Sequence, residues 1–234
     1  MQLLRESLRQ LNISCDDEVI DRFERYYDLL VSWNDKINLT SLTKKEDIII
    51  KHFIDSIIMI KYTDITGKTL LDVGTGAGFP GIPLKIICPE CNVLLLDSLK
   101  KRIVFLKEVI SELGLSGISA IHGRAEDVAK EKDLRERFDI VTSRAVANLS
   151  TLSEYCLPFV NMDGYFISYK GTNITDEISG SEKAIKILGG STDRIERFIL
   201  PISDNERSLI FIRKISSTPD RYPRKAGTPL KKPL

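Results

Sequence analysis

Histidine, cysteine and tryptophan are scarce in this chain, and each scarcity narrows what it can be. The two histidines, His52 and His122, and the four cysteines, Cys15, Cys88, Cys91 and Cys156, are too few and too scattered for a disulfide framework, which points to a reducing cytoplasm. Cys88 and Cys91 form a C-x-x-C pair, but no second Cys or His pair accompanies it. A helix end with its following loop explains that spacing better than zinc or redox chemistry, so no metal is expected. No uninterrupted apolar run approaches the length of a membrane span. The opening MQLLRESLRQL carries Arg5, Glu6 and Arg9 inside its apolar pattern, unlike a signal peptide. A formal net charge of +1 over 234 residues excludes a uniformly basic or acidic protein and hides an uneven distribution. One domain with extensions is expected, large enough to bury a full core.

The chain is organised around LLDVGTGAGFPGIPL, Leu70 to Leu84. Leu70, Leu71 and Val73 read as a buried strand that stops at Gly74. Gly74, Gly76, Gly78 and Gly81 then fill a loop in which backbone can approach a ligand closely, and a helix from about Ile82 aims its positive end at the same place. Gly76, Gly78 and Gly81 satisfy the dinucleotide spacing G-x-G-x-x-G, with Asp97 at about the usual distance for a ribose acid. The same letters from Asp72 to Gly78 read as D-x-G-x-G-x-G, the first motif of Rossmann-like methyltransferases dependent on S-adenosylmethionine (SAM). Asp72 favours the second reading, because a carboxylate there suits an ammonium and sulfonium cofactor and repels a pyrophosphate.

Residues 1 to about 62 read as helical. Val19, Ile20, Phe23, Tyr26, Tyr27, Leu30 and Trp33 recur at helical steps. Thr43 with Glu46 predicts a capping box opening a second helix through Ile48, Ile49, His52, Phe53, Ile57 and Ile60. Trp33 and His52 are expected at the core or its edge. Strands at 70–73, 93–96, 118–121, 138–142 and 164–169 alternate with helices at 82–88, 100–113, 150–156 and 175–188, and runs at 193–200 and 208–215 are placed to pair antiparallel. This predicts a mostly parallel sheet with helices on both faces and an antiparallel hairpin at its C-terminal edge, an α/β fold.

Ligands of such a sheet sit beyond the carboxyl ends of its strands. Asp97 ends the second strand and suits ribose hydroxyls. Ala125 and Glu126 follow the third, where an adenine is commonly held, although Glu126 is also explained as part of an acidic first helical turn. Arg144, in SRAVAN past the fourth strand, suits a cofactor carboxylate or a substrate phosphate, or is a solvated strand-end cation. No Asn-Pro-Pro-Tyr-like run offers exocyclic amine chemistry, and no Pro-Cys pair offers the nucleophile for pyrimidine C5. A purine N7 has an exposed lone pair and needs positioning only. Beyond Asp220 no acid remains, while Arg221, Arg224, Lys225, Lys231 and Lys232 alternate with Tyr222, Gly227 and prolines. Such a tail builds no core of its own and suits phosphate contact, or is a solvated tail.

The motifs DVGTGAGFPGIPL, LLLDSLKKRIVFL, GRAED and SRAVANL and the tail RYPRKAGTPLKKPL resemble the bacterial 16S ribosomal RNA guanine-N7 methyltransferases, once called glucose-inhibited division protein B. The segment YYDLLVSWNDKINLTSLTKKEDIIIKHFIDS resembles that family's N-terminal extension, so the likeness covers nearly the whole chain. It implies a class I methyltransferase with a seven-stranded sheet, divided into an N-terminal helical extension (1–62), a SAM-binding core (63–216) and a basic tail (217–234). It implies SAM as cofactor, with S-adenosylhomocysteine as product, and one guanosine of the small-subunit decoding-region loop as substrate. Family cofactor contacts fall on Gly74, Phe79, Ala125, Glu126 and Arg144, beside the expected Asp72, Gly76, Gly78 and Asp97. Arg144 is the one candidate for a direct catalytic part, and the tail cations are the expected RNA contacts. A membrane partner is not expected, and a monomer is favoured. An NAD(P)-dependent dehydrogenase and a non-catalytic RNA-binding protein with a vestigial pocket stay open on the sequence.

Overall fold

Leu70, Leu71 and Val73 are all buried although they alternate across strand β1 (Thr69–Val73), as a strand covered on both faces requires. The computed structural model describes residues 1–144 and 147–234. The other strands are β2 (Asn92–Asp97), β3 (Ile118–His122), β4 (Phe138–Arg144), β5 (Val160–Lys170), β6 (Gly190–Ile199) and β7 (Glu206–Lys214). They form one sheet of order β3-β2-β1-β4-β5-β7-β6. β1 pairs in parallel with β2 and β4, β2 with β3, and β4 with β5. β7 inserts antiparallel between β5 and β6. A dinucleotide fold continues outward from β5 with a parallel strand; the antiparallel insertion here is the class I methyltransferase arrangement.

One face of the sheet carries α1 (Gln2–Gln10), α2 (Asp17–Ile37), the path 45–61, α5 (Gly81–Ile87) and α6 (Lys100–Glu112). That path runs through α3 (Lys45–Ile48), a π-helical turn (Ile49–Ile54), α4 (Asp55–Ile57) and a 3-10 turn (Ile58–Lys61). The other face carries α7 (Ala125–Val128), α8 (Leu149–Cys156) and α9 (Thr175–Ile187). Side chains sort by strand period: Leu209 and Phe211 enter the first apolar cluster, Ile210 and Ile212 the second.

Three expectations change. Thr43 does not cap a helix: α3 starts after Lys44, and no side chain caps it. Lys45 instead reaches back to α2, lying 4.8 Å above the Tyr27 ring and 3.3 Å from Glu24, so contacts between helices fix the entry. β5 begins at Val160 rather than 164, passing through Asp163 at φ 65° and a register irregularity against β4. β6 begins at Gly190 rather than 193; a Cβ there would meet Ile212, Leu157 and Ile185 at 2.9 to 3.1 Å.

The tail is docked, not solvated. Lys214, fully buried at the end of β7, donates to the carbonyl of Leu157 and to Thr218 Oγ1, each at 2.6 Å, and pairs with Glu136 at 3.0 Å. Arg135 donates to the carbonyls of Thr218 and Tyr222, and Tyr222 is buried in the second cluster. A basic segment without a core thus borrows one from the sheet.

Gly81 marks the closest approach of α5 to the sheet: a Cβ there would lie 2.3 Å from Leu95 Cδ2 and 3.1 Å from Asp72 Oδ2. Gly81→Ala is expected to destabilise the fold by about 2 kcal/mol in urea unfolding, as overpacking of a tight contact does.

Candidate active site

The sheet grows outward from β1 in one direction through β2 and β3 and in the other through β4 and β5. The switch point between β1 and β4 is where such sheets bind ligands, and two cavities open there. The larger, about 710 Å³, is lined by Gly74, Gly76, Phe79, His52, Asp55 and Arg144 among others. The smaller, about 290 Å³, is lined by Gly74, Asp97, Ala125, Glu126, Gly227 and Leu230 among others. Gly74 belongs to both, so one elongated ligand can lie across the glycine loop from one to the other.

The loop is held by two carboxylates. Asp72 is fully buried, and its Oδ2 accepts from Thr75 Oγ1 at 2.6 Å and from the Gly81 amide at 2.9 Å. It lines neither cavity, so it fastens the loop to strand and helix. Burial pushes its carboxyl up to about 6, against the hydrogen bonds from Thr75 and Gly81 and the charge of Arg144. Asp97, at the end of β2, accepts from the Gly76 amide and the Leu99 amide, each at 2.9 Å, and pairs with Arg102 at 3.2 Å. Gly76 and Gly78 take φ of 63° and 101°, the left-handed region where a side chain is strained. Gly78 lines neither cavity; a Cβ there would meet Ile82 at 2.5 Å and the Tyr26 hydroxyl at 2.7 Å.

That hydroxyl was not singled out in the sequence. Tyr26 is buried on α2 and donates to the carbonyl of Ala77 at 2.5 Å, and its ring lies 5.5 Å from Phe79. His52 also stacks on Phe79, with centroids 4.5 Å apart at 20°, and Arg144 Cζ lies 5.1 Å from the same ring. Arg144 donates to the carbonyl of Lys51 at 2.8 Å and to Asp55 Oδ2 at 2.9 Å, and its other terminal nitrogen lies 3.0 Å from His52 Nδ1. Because a guanidinium only donates, Nδ1 accepts from Arg144 in preference to donating to the Lys51 carbonyl 3.2 Å away, and the Nε2 proton faces Thr40 Oγ1 at 2.7 Å. Asp55 also pairs with Arg207 at 3.3 Å; burial pushes its carboxyl up in spite of both arginines. Burial first, and then Arg144, pushes His52 down to about 3, so its ring stays neutral.

Of the sequence candidates, Gly74, Gly76, Phe79, Asp97, Ala125, Glu126 and Arg144 converge on the cavities, while Asp72 and Gly78 support them. Ala145 and Val146 of SRAVANL lie outside the described residues. The tail cations divide. Arg224 holds buried Glu154 through two guanidinium nitrogens, at 2.6 to 3.1 Å, whereas Arg221, Lys225, Lys231 and Lys232 are exposed. His52, half-buried against core Phe79 at the core edge, also lines the larger cavity; Trp33 sits at a core edge too, donating to Glu108 at 2.8 Å. Asp55 and Arg207 had no motif to announce them. The available signal was Lys51, His52 and Asp55 standing inside an otherwise apolar helix, where polar residues are costly unless used.

Residues 19–209 match the family model described as rRNA small subunit methyltransferase G. The chain belongs to this family. A family member from Lachnoclostridium phytofermentans, named ribosomal RNA small subunit methyltransferase G, is 54% identical over 230 residues, covering 98% of this chain and 95% of its own. Another of that name, from Acetivibrio thermocellus, is 52% identical over 233 residues, covering 100% of this chain and 96% of its own. Among solved structures, M. jannaschii TYW2 in complex with AdoMet aligns at a TM-score of 0.55 and 15% identity over 74% of this chain and 77% of that one. TrmN from Thermus thermophilus aligns at 0.52 and 14% over 71% and 53%. These likenesses carry the fold, and family membership removes the dehydrogenase alternative. Among the described residues, no three His, Cys, Asp or Glu side chains gather as a metal site would need, and no helix is long and apolar enough to cross a membrane.

The depressed His52 and the raised Asp72 act on stability with opposite signs. Between about pH 3 and the unfolded value of 6.5 the unfolded chain binds more protons at His52, so this term falls as pH falls. Between the unfolded value of 3.8 and about 6 the folded chain binds more protons at Asp72, so that term rises as pH falls. In urea unfolding, the stability deficit of His52→Gln relative to the native chain is expected to shrink from pH 7 to pH 4, by up to about 1.4 kcal/mol per pH unit.

Proposed function

We propose that this chain transfers the methyl group of SAM to N7 of one guanosine in the decoding-region loop of 16S rRNA, in the small ribosomal subunit. Membership of the methyltransferase family carries this reading, and the pair of cavities joined at Gly74 supports the cofactor. The site's chemistry fits SAM. Asp97, Ala125 and Glu126 lie around the smaller cavity, suited to a nucleoside, while Arg102 and Arg144 offer cations to an amino-acid carboxylate in the larger one. SAM supplies a methyl group on a positively charged sulfur. A guanine N7 lone pair would accept that methyl as the carbon–sulfur bond breaks, the bonding electrons would stay with sulfur as a neutral thioether, and no residue of the chain would have to remove a proton.

The protein is therefore asked for position and charge alone. Neutral His52 and Phe79 give the larger cavity a flat wall without adding a charge beside a sulfonium. Arg144 is fixed by Asp55, Lys51 and His52 at the strand mouth, where it is the candidate to hold the cofactor carboxylate or an RNA phosphate. A loop base is splayed out more cheaply than a paired one. Exposed Arg221, Lys225, Lys231 and Lys232 are the proposed phosphate contacts, and Arg224, engaged by Glu154, is left out of that set. The division into helical extension, cofactor core and basic tail is on this view one of labour rather than of separate cores.

Incubating the chain with SAM and small subunits lacking the modification should yield a single 7-methylguanosine in the 16S rRNA, read by mass and by cleavage at the methylated base. No methyl incorporation, or methyl on another atom, overturns the reading. Neutralising Arg221, Lys225, Lys231 and Lys232 together should flatten the salt dependence of RNA binding by about 0.7 in log–log slope for each cation that touches a phosphate.

A further inference from the structure

The docked tail reaches further than its own anchorage needs. It is pinned at three places: at Thr218 by Lys214, Arg135 and Glu136; at Arg224 by Glu154; and at residues 227–229, where the Gly227 amide donates to Glu126 Oε1 at 2.9 Å and Thr151 Oγ1 donates to the Pro229 carbonyl at 3.1 Å. Glu154 is fully buried on α8, and an unpaired carboxylate there is costly. Its oxygens take both the Arg224 side chain and the Arg224 amide, the latter at 2.8 Å, so the strap has one favourable register.

That register brings Gly227 and Leu230 into the lining of the smaller cavity, together with Asp97 and Ala125. Leu230 does not hold the strap down. Tyr222, Pro223 and Pro229 are buried, whereas Leu230 is 61% exposed. A large apolar side chain is left open to water beside a cavity sized for a flat heterocycle. Glu126, expected from the sequence to meet the cofactor, has one oxygen committed to the strap.

We infer that the C-terminal strap is a wall of the nucleoside end of the cofactor site: Leu230 packs against the adenine of SAM, Glu126 and Glu154 are positioning residues that seat the strap, and cofactor binding tightens it. This rests on the SAM reading above. The inference puts a segment read as an RNA arm into the cofactor site as well. Its exposed cations are then held beside the site, so that RNA engagement and cofactor occupancy share one element.

Calorimetric titration of the full chain with SAM and with methylthioadenosine, which keeps the nucleoside and lacks the amino-acid end, tests this. Leu230→Ala should weaken both ligands alike by about five- to tenfold, the loss expected for part of a leucine's apolar contact, with an unchanged ligand-free melting temperature. Arg224→Lys, which keeps the charge but loses the two-pronged grip, should weaken both in the same proportion. SAM should also slow hydrogen exchange across residues 222–231. If the native chain binds SAM and Leu230→Ala matches it, or if exchange in the strap is unaltered by SAM, the inference falls and the cofactor reading stands. A native chain that binds no SAM removes both, and the two failures are told apart by that single titration.

Discussion

The Asp72 carboxylate is the point on which the site depends. It stands near the end of β1, fully buried, and binds both Thr75 inside the glycine loop and the amide that opens α5. Without those bonds, a buried charge and an uncapped helix start would face each other across the loop. With them, the loop is bound to strand and helix together, and its backbone can take the left-handed turns at Gly76 and Gly78. Asp97 completes the hold from β2 through the Gly76 amide. Two acids that the sequence suggests as cofactor contacts, Asp72 for its cationic end and Asp97 for its ribose, thus spend much of their hydrogen-bonding capacity on the shape of the loop.

The N-terminal helices are part of the same construction. Tyr26 hydrogen-bonds the loop carbonyl at Ala77, and Phe79 packs against both Tyr26 and His52. The π-helical turn sets His52 and Asp55 toward the mouth of β4, where Arg144 binds both. π-helical turns recur at functional sites because the extra residue shifts which side chains share a face. Asp55 lies between two arginines and is itself buried, an arrangement that holds cations at the mouth without letting them collapse onto one another. The helical segment therefore shapes the larger cavity from its far side.

Charge is distributed by function around this frame. The formal balance of one positive charge conceals a tail free of acids beyond Asp220, and the fold splits that tail's cations between structure and solvent. Arg224 compensates Glu154 inside the protein; its neighbours stay outside. Composition alone cannot make that division, since the partner of Arg224 lies 70 residues away in sequence.

The parallel sheet, the loop, the acid at the end of β2 and the antiparallel pair at the edge were all legible in the sequence, because each follows from a local pattern: an apolar run, glycine spacing or alternation. The helix start at Lys45, the first residues of β5 and β6, and the parts played by Tyr26, His52, Asp55, Arg207 and Glu154 were not. These depend on partners far away in the chain: Tyr26 on Ala77, His52 and Asp55 on Arg144, Lys45 on α2, Glu154 on the tail. A sequence read alone determines which segments bury apolar surface and where the backbone turns, since those preferences act within a few residues. Which buried polar groups meet, and hence what lines each cavity, is decided only when distant segments pack, because a buried hydrogen bond or ion pair takes its energy from a partner that local sequence does not specify.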